Sequence, residues 1–124
     1  MHHLASWIEI PVADLDRAQA FYESIFGFAL ERVAITPQLT MALFPVEAGG
    51  TGGALCHHPG FYTPGKQGPI VYLHGGPDLQ PILDRVEAAG GKVLIGKRQI
   101  SEEHGYMGLF EDSEGNRLGL RSNT

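Results

Sequence analysis

Acidic side chains crowd together near the end of the chain, where a divalent cation could bind them. Glu111, Asp112 and Glu114 fall within four positions, and His104 stands a short way upstream. Carboxylate and imidazole groups are ordinary ligands of divalent metals. Whether they form a site depends on the elements that position them.

The surrounding sequence favours a turn over a metal site. The stretch "EDSEGN" separates two strand-like runs, "YMGLF" and "NRLGLR", and its glycine and asparagine are typical of hairpin loops. We therefore expect all three carboxylates to lie in water at the tip of a hairpin.

Composition narrows the possible partners. The 124 residues, of which 43% are hydrophobic, suit one compact domain. A formal charge of -5 argues against nucleic acid and anionic membranes, which basic surfaces bind. The single cysteine, Cys56, excludes an internal disulfide, and no long apolar run predicts a membrane span or signal peptide. We expect a cytoplasmic protein that binds small molecules or other protein chains.

The chain contains an internal repeat. The run "DLDRAQAFYESIFGFAL" from Asp14 aligns with "DLQPILDRVEAAGGKVL" from Asp78, 64 residues further on. The run "MALF" is echoed in the same order by "MGLF". Two ordered echoes indicate two copies of one module.

Each copy has the same order of elements. A short strand precedes a helix, which Asp14 or Asp78 can cap and a glycine can end, and three strand-like runs follow. The prediction is an α+β protein of two β-α-β-β-β modules. They span roughly residues 4–57 and 70–122, with a Gly- and Pro-rich linker at 58–69.

Three motifs on this duplication resemble the vicinal oxygen chelate superfamily, which includes glyoxalase I, bleomycin-resistance proteins and extradiol dioxygenases. They are "VADLDRAQAFYESIFGF", "RVEAAGGKVL" and "GYMGLFEDSEGNRLGL". The resemblance covers nearly the whole chain, so we expect one domain over residues 1–124. It implies that the modules curl into a half-barrel cup, often completed in a homodimer, which holds a small molecule.

In the metal-dependent members of that superfamily, each module gives one cation ligand from its first strand and one from its last. The resemblance maps these positions onto Trp7, Leu55, Gly119 and either Val71 or Ile70. None of these side chains can bind a divalent cation. We therefore expect no cofactor and no metal site of the family kind.

A different metal site stays open as an alternative. A slip of one residue turns every side chain of a strand to the opposite face and would bring Cys56 inward. His57, His74 or Glu9 could also supply ligands at another place in the cup.

Strand alternation selects further pocket candidates. If Trp7 points into the cup, Glu9 does so as well, and the same reasoning for the last strand of each module adds His57 and Arg121. Glu9 and His57 would be candidate acids or bases, and Arg121 a clamp for an anion. The alternative is an ordinary ion pair of Glu9 with Arg121.

Residues 96–106 form a long connection between two predicted strands, and such loops often cover binding pockets. We expect His104 and Tyr106 on this loop to reach the ligand. The candidates for an aromatic wall are Trp7, Phe61, Tyr62, Tyr72 and Tyr106.

Two classes of function follow from these residues. The one that we favour is a binding protein of the bleomycin-resistance kind, which holds a small organic molecule without altering it. The other is a lyase, isomerase or dioxygenase with a relocated metal or a protein-only site.

Overall fold

The computed structural model describes residues 2–124, which form two four-stranded sheets and two helices. In chain order the elements are β1 (Trp7–Pro11), α1 (Leu15–Phe26), β2 (Glu31–Ala34), β3 (Thr40–Leu43), β4 (Gly52–His57), β5 (Tyr72–His74), α2 (Gln80–Val86), β6 (Lys92–Ser101), β7 (Gly105–Glu111) and β8 (Arg117–Ser122). The strand orders are β1-β4-β3-β2 and β5-β8-β7-β6. The two sheets have the same order, which confirms the α+β fold of two β-α-β-β-β modules.

Helix α1 begins and ends where its sequence predicts. The Asp14 carboxylate accepts a hydrogen bond from the Arg17 backbone N–H at 3.0 Å, and Gly27 ends the helix with a left-handed φ of 79°. The helix buries one face, made of Leu15, Ala18, Phe21, Tyr22 and Ile25.

Helix α2 begins later than its sequence predicts. Asp78 was the expected cap, but the capping position is Leu79, with no side-chain hydrogen bond. Pro81 lies in the first turn and removes one backbone donor that a cap would satisfy. The Asp78 carboxylate instead accepts hydrogen bonds from the Gln80 backbone N–H and the Lys97 ammonium, at 2.9 and 2.7 Å.

Each sheet has one face against the helices and an opposite face, which we call the inner face. A single core joins both modules and includes Ile10, Leu55, Phe110 and Leu120 from the strands. Side chains alternate along a strand, so Trp7, Glu9 and Cys56 lie on the inner face of the first sheet. By the same rule Tyr72, Gly119 and Arg121 lie on that of the second. No helix within residues 2–124 has the length and apolar character to cross a membrane.

The predicted loop at residues 96–106 is wrong, because β6 continues to Ser101. Only residues 102–104 form the turn to β7. Pairing between β6 and β7 shifts register three times, as β-bulges do, and these shifts hide the alternation that would mark a strand. Lysine and arginine on this edge strand also suit its exposure, since charged side chains discourage pairing with other chains.

The carboxylates of the acidic turn, which we define as residues 112–116, do not lie in water as expected. Asp112 is 2% exposed and accepts a hydrogen bond from the Tyr22 hydroxyl of α1 at 2.7 Å. It also accepts hydrogen bonds from the Asn116 backbone and side chain, both at 2.9 Å. Burial raises the pKa of Asp112, and the hydrogen bonds from Tyr22 and Asn116 oppose part of that rise.

Glu114 connects the acidic turn to the start of α1. Its side chain is fully buried and accepts hydrogen bonds from the backbone N–H groups of Ala13 and Asp14, at 3.0 and 2.8 Å, and from Arg17 Nε at 2.7 Å. Although burial raises its pKa, the bonds from Arg17 and the backbone outweigh burial and lower the pKa to about 2. The turn therefore binds the second module to the first.

We expect Glu114→Gln to remove this link in a pH-dependent way. The folded pKa lies below the ordinary value, so the charged group stabilises the fold above about pH 4.5, and this stabilisation is lost as the pH falls towards 2. Urea denaturation should show that the free energy of unfolding falls by about 2 kcal/mol at pH 7; this figure already allows for the weaker ion pair of a half-exposed Arg17. At pH 3 the fall should be much smaller. Exposed Glu102→Gln is the control; an equal loss from Glu114→Gln at both pH values would contradict the assignment.

Candidate ligand-binding site

Glu9 is the centre of a polar and aromatic cluster on the inner face of the first sheet. One carboxylate oxygen accepts a hydrogen bond from the Tyr62 hydroxyl at 2.6 Å, and the other from Trp7 Nε1 at 3.2 Å. Tyr62 belongs to the linker between the modules, so the linker reaches over the inner face of β1. The cluster fixes two aromatic rings beside a carboxylate.

The thiol and the phenol beside Glu9 stay protonated at neutral pH. Cys56 is fully buried, and burial together with the nearby Glu9 charge raises the pKa of its thiol to about 11. The hydrogen bond to Glu9 raises the pKa of the Tyr62 hydroxyl, so that group stays a donor. The cluster can bind a polar group, while its thiol and phenol remain protonated.

Two aromatic rings on the inner faces cover glycines of neighbouring strands. Trp7 pairs with Gly52, where an added methyl group would lie 3.1 Å from the indole ring. Tyr72 pairs with Gly119, where an added methyl group would overlap the phenol ring. Trp7 and Tyr72 are 48% and 45% exposed, so each presents apolar surface to the cup.

The structure corrects the position that corresponds to Gly119 in the first module. The bond from Val12 N to Cys56 O matches the bond from Gly75 N to Arg121 O, so Cys56 corresponds to Arg121. Two residues earlier, Ala54 then corresponds to Gly119. Leu55 was the predicted equivalent, but it is fully buried in the core on the helix face.

The side chains at the corrected positions do not fit the metal of the superfamily. Trp7, Ala54 and Gly119 offer no ligand, and neither do the apolar Ile70 and Val71. The Tyr72 ring occupies the space that a glutamate at position 119 would need. Within residues 2–124, no three His, Cys, Asp or Glu side chains are grouped so that they could hold a metal ion.

A cavity of about 840 Å³ lies beside the Glu9 cluster. Its walls come from β1, from the linker and from the start of β8. The side chains that give it polarity and charge are Glu9, Thr63, Lys66, Gln67, Asn116 and Arg117. A smaller cavity of about 180 Å³ is mainly apolar and is lined by residues that include Phe26, Phe28, Phe44 and Leu73.

Five of the predicted pocket residues lie on the inner faces of the sheets. Trp7 and Glu9 belong to the first sheet, and Tyr72, Gly119 and Arg121 belong to the second. Arg121 is exposed and contacts the Asn123 side chain at 3.5 Å, and the Glu9 carboxylate pairs with Trp7 and Tyr62 rather than with an arginine. The alternative ion pair of Glu9 with Arg121 is therefore absent from the described residues.

The other predicted pocket residues lie elsewhere. His57 follows Leu55 by two positions and shares its helix face. Tyr106 packs against the core, with the Lys97 ammonium 4.7 Å from its ring centre. His104 is exposed at the turn between β6 and β7, where its backbone N–H donates to the Ser101 hydroxyl. These orientations depend on the true length of β6 and the true register of β4.

The sequence reasoning missed Arg117. It is the first residue of β8 and lies two positions before Gly119, so alternation places it on the inner face. That signal was present in the sequence, because Arg117 falls in the predicted strand run "NRLGLR", but the alternation was followed only forward from Gly119 to Arg121.

Known proteins identify the family of this fold. The sequence profile of the Glyoxalase/Bleomycin resistance protein/Dioxygenase superfamily matches residues 1–120. The match covers almost the whole chain, so the chain belongs to this superfamily, as the motifs predicted. No curated protein matches the sequence.

Solved structures share the fold at low sequence identity. TnmS3, an antibiotic binding protein from Streptomyces sp. CB03234, is 22% identical, with a TM-score of 0.73 and coverage of 100% of this chain and 98% of that one. A glyoxalase-related enzyme from Fulvimarina pelagi is 18% identical, with a TM-score of 0.67 and coverage of 99% and 89%. Glyoxalase I from Zea mays is 21% identical, with a TM-score of 0.70; the match covers 97% of this chain but only 45% of that one. Such likeness concerns the fold alone.

We expect Tyr72 to determine whether Gly119→Ala destabilises or stabilises the fold, which a double-mutant cycle can measure. Gly119→Ala should lower the free energy of unfolding by about 1 kcal/mol, because the methyl group displaces the Tyr72 ring. In a Tyr72→Ala background the same change should stabilise by about 0.5 kcal/mol, because alanine loses less entropy than glycine.

Gly53→Ala is the control for this cycle. A methyl group there would meet the Ile8 backbone carbonyl, which does not depend on Tyr72. Its loss of stability, measured by denaturant unfolding, should be the same in both backgrounds. If Gly119→Ala also behaves alike in both backgrounds, Tyr72 does not fill that space.

Proposed function

We propose that this protein binds a small organic molecule in its cup without the metal of the superfamily. The observation that carries the proposal is the replacement of the expected ligand at position 119 by a glycine that the Tyr72 ring covers. A position used for cation binding in metal-dependent relatives here supports an exposed aromatic surface. The protein would retain its ligand by contact and hydrogen bonding.

The inner faces favour a flat molecule that carries polar groups. Trp7 and Tyr72 offer half-exposed ring faces, on which aromatic or unsaturated ligands stack. The Glu9 carboxylate already accepts two hydrogen bonds, which hold it in one orientation ready for a ligand donor. TnmS3, which shares this fold, is an antibiotic binding protein, and this supports such a role.

The same cluster gives little support to the alternative of a protein-only enzyme. A thiol or phenol must lose its proton to act as a nucleophile or a general base. The raised pKa values of Cys56 and Tyr62 keep both groups protonated.

The homodimer and the cytoplasmic location expected from the sequence stay predictions.

A ligand screen in the presence of a chelator tests the proposal. A ligand at 100 times its dissociation constant should stabilise the fold by about 2.7 kcal/mol, which raises the melting temperature by several degrees. Trp7 is the only tryptophan, so its fluorescence should change as the ligand binds. Hits that depend on added metal, or a broad library without hits, would contradict the proposal.

Aromatic variants distinguish binding in the cup from binding elsewhere. Trp7→Ala should weaken a hit about tenfold, in line with the roughly 1.4 kcal/mol of a lost aromatic contact. Phe61→Ala is the control, because Phe61 is also aromatic but is 70% exposed on the linker and belongs to neither sheet. Equal effects of the two variants would place the ligand outside the inner face.

A further inference from the structure

Arg117 is a cation in the cavity wall that has too few acceptors. Its Nη2 donates to the Gly68 carbonyl over a long 3.3 Å. Its Nε is buried and has no hydrogen-bond partner among the described residues. A buried donor without a partner costs about 1–3 kcal/mol. The fold therefore leaves part of this guanidinium unsatisfied.

Four other cations within residues 2–124 have carboxylate partners, namely Arg17, Arg32, Lys66 and Lys97. Lys66, which lines the same cavity, pairs with Glu111 at 2.9 Å, and Arg17 pairs with Glu114. No carboxylate among residues 2–124 lies within salt-bridge distance of Arg117. The positive charge of Arg117 is thus available to something that enters the cavity.

We infer that the ligand is an organic acid whose carboxylate pairs with Arg117 beneath the linker. This inference rests on the proposed function and adds the chemical class of the ligand. The edge of the guanidinium formed by Nε and Nη2 matches the two oxygens of a carboxylate. The long bond to Gly68 gives way at little cost, because it is weak and its acceptor lies in a linker rich in glycine.

Charge in the cavity also sets the orientation of the ligand. Glu9 lines the same cavity as Arg117, and the two side chains form no ion pair with each other. The Glu9 carboxylate repels an anionic group, so the ligand's carboxylate is directed to Arg117. The opposite end of the ligand meets Glu9, which accepts a hydrogen bond from a neutral or cationic donor.

Benzoate and benzamide are matched probes for this pairing, since they differ mainly in charge. We expect benzoate to shift the Arg117 Nε–H signal in NMR spectra of ¹⁵N-labelled protein, with saturation in the millimolar range. Benzoate should bind about tenfold tighter than benzamide, or roughly 1.4 kcal/mol, within the range for a charge-assisted hydrogen bond. Arg117→Met should abolish this preference, measured by Trp7 fluorescence or by other shifted signals.

Arg98→Met is the control, because it removes the same charge from an exposed position that lines neither cavity. It should leave the preference for benzoate intact. Equal affinity for the two probes, no saturable shift of the Nε–H signal, or an unchanged preference in Arg117→Met would each overturn the inference. Uncharged library hits that bind the Arg117→Met variant with unchanged affinity would also overturn the inference, while leaving the proposed function in place.

Discussion

The buried hydrogen bonds of the acidic turn are the constraint on which the arrangement of the two modules depends. Asp112 accepts a hydrogen bond from the Tyr22 hydroxyl of α1. Glu114 accepts hydrogen bonds from two backbone N–H groups at the start of the same helix. Low polarity strengthens such bonds but makes any unpaired group costly, so the network favours one arrangement of the modules over others. Carboxylates that suggested a metal site in the sequence therefore serve to join the repeats.

The same turn also positions the walls of the ligand cavity. The Asn116 side chain donates to the Pro11 carbonyl of β1 at 2.7 Å and accepts from the Gly65 N–H of the linker at 3.0 Å. Arg117 is the next residue along the chain. One amide thus fixes β1, the linker and the start of β8 relative to each other, and with them Glu9 and Arg117. Preorganised walls reduce the entropy lost when a ligand binds.

The sequence predicted elements whose signals are local. Helix α1 follows from its cap, its glycine stop and the spacing of its apolar residues, and the duplication predicted the order of elements along each module. The predictions from the sequence were wrong where contacts between distant parts of the chain decide the structure. Burial of Asp112 depends on Tyr22, 90 residues away, which no local pattern reveals. The wrong assignment of Leu55 came from a constant repeat offset, whereas the true register makes Ala54 the equivalent of Gly119.

The claim that the cup works without the superfamily's metal can be tested most directly by metal binding itself. Purified protein, stripped with a chelator and then dialysed against Ni, Zn, Mn or Fe, would be analysed for bound metal. Trp7 fluorescence would be followed at the same time. The account predicts bound metal far below one equivalent per chain and an unchanged Trp7 signal. One tightly bound equivalent that perturbs Trp7 would contradict it, because that metal would lie on the inner face.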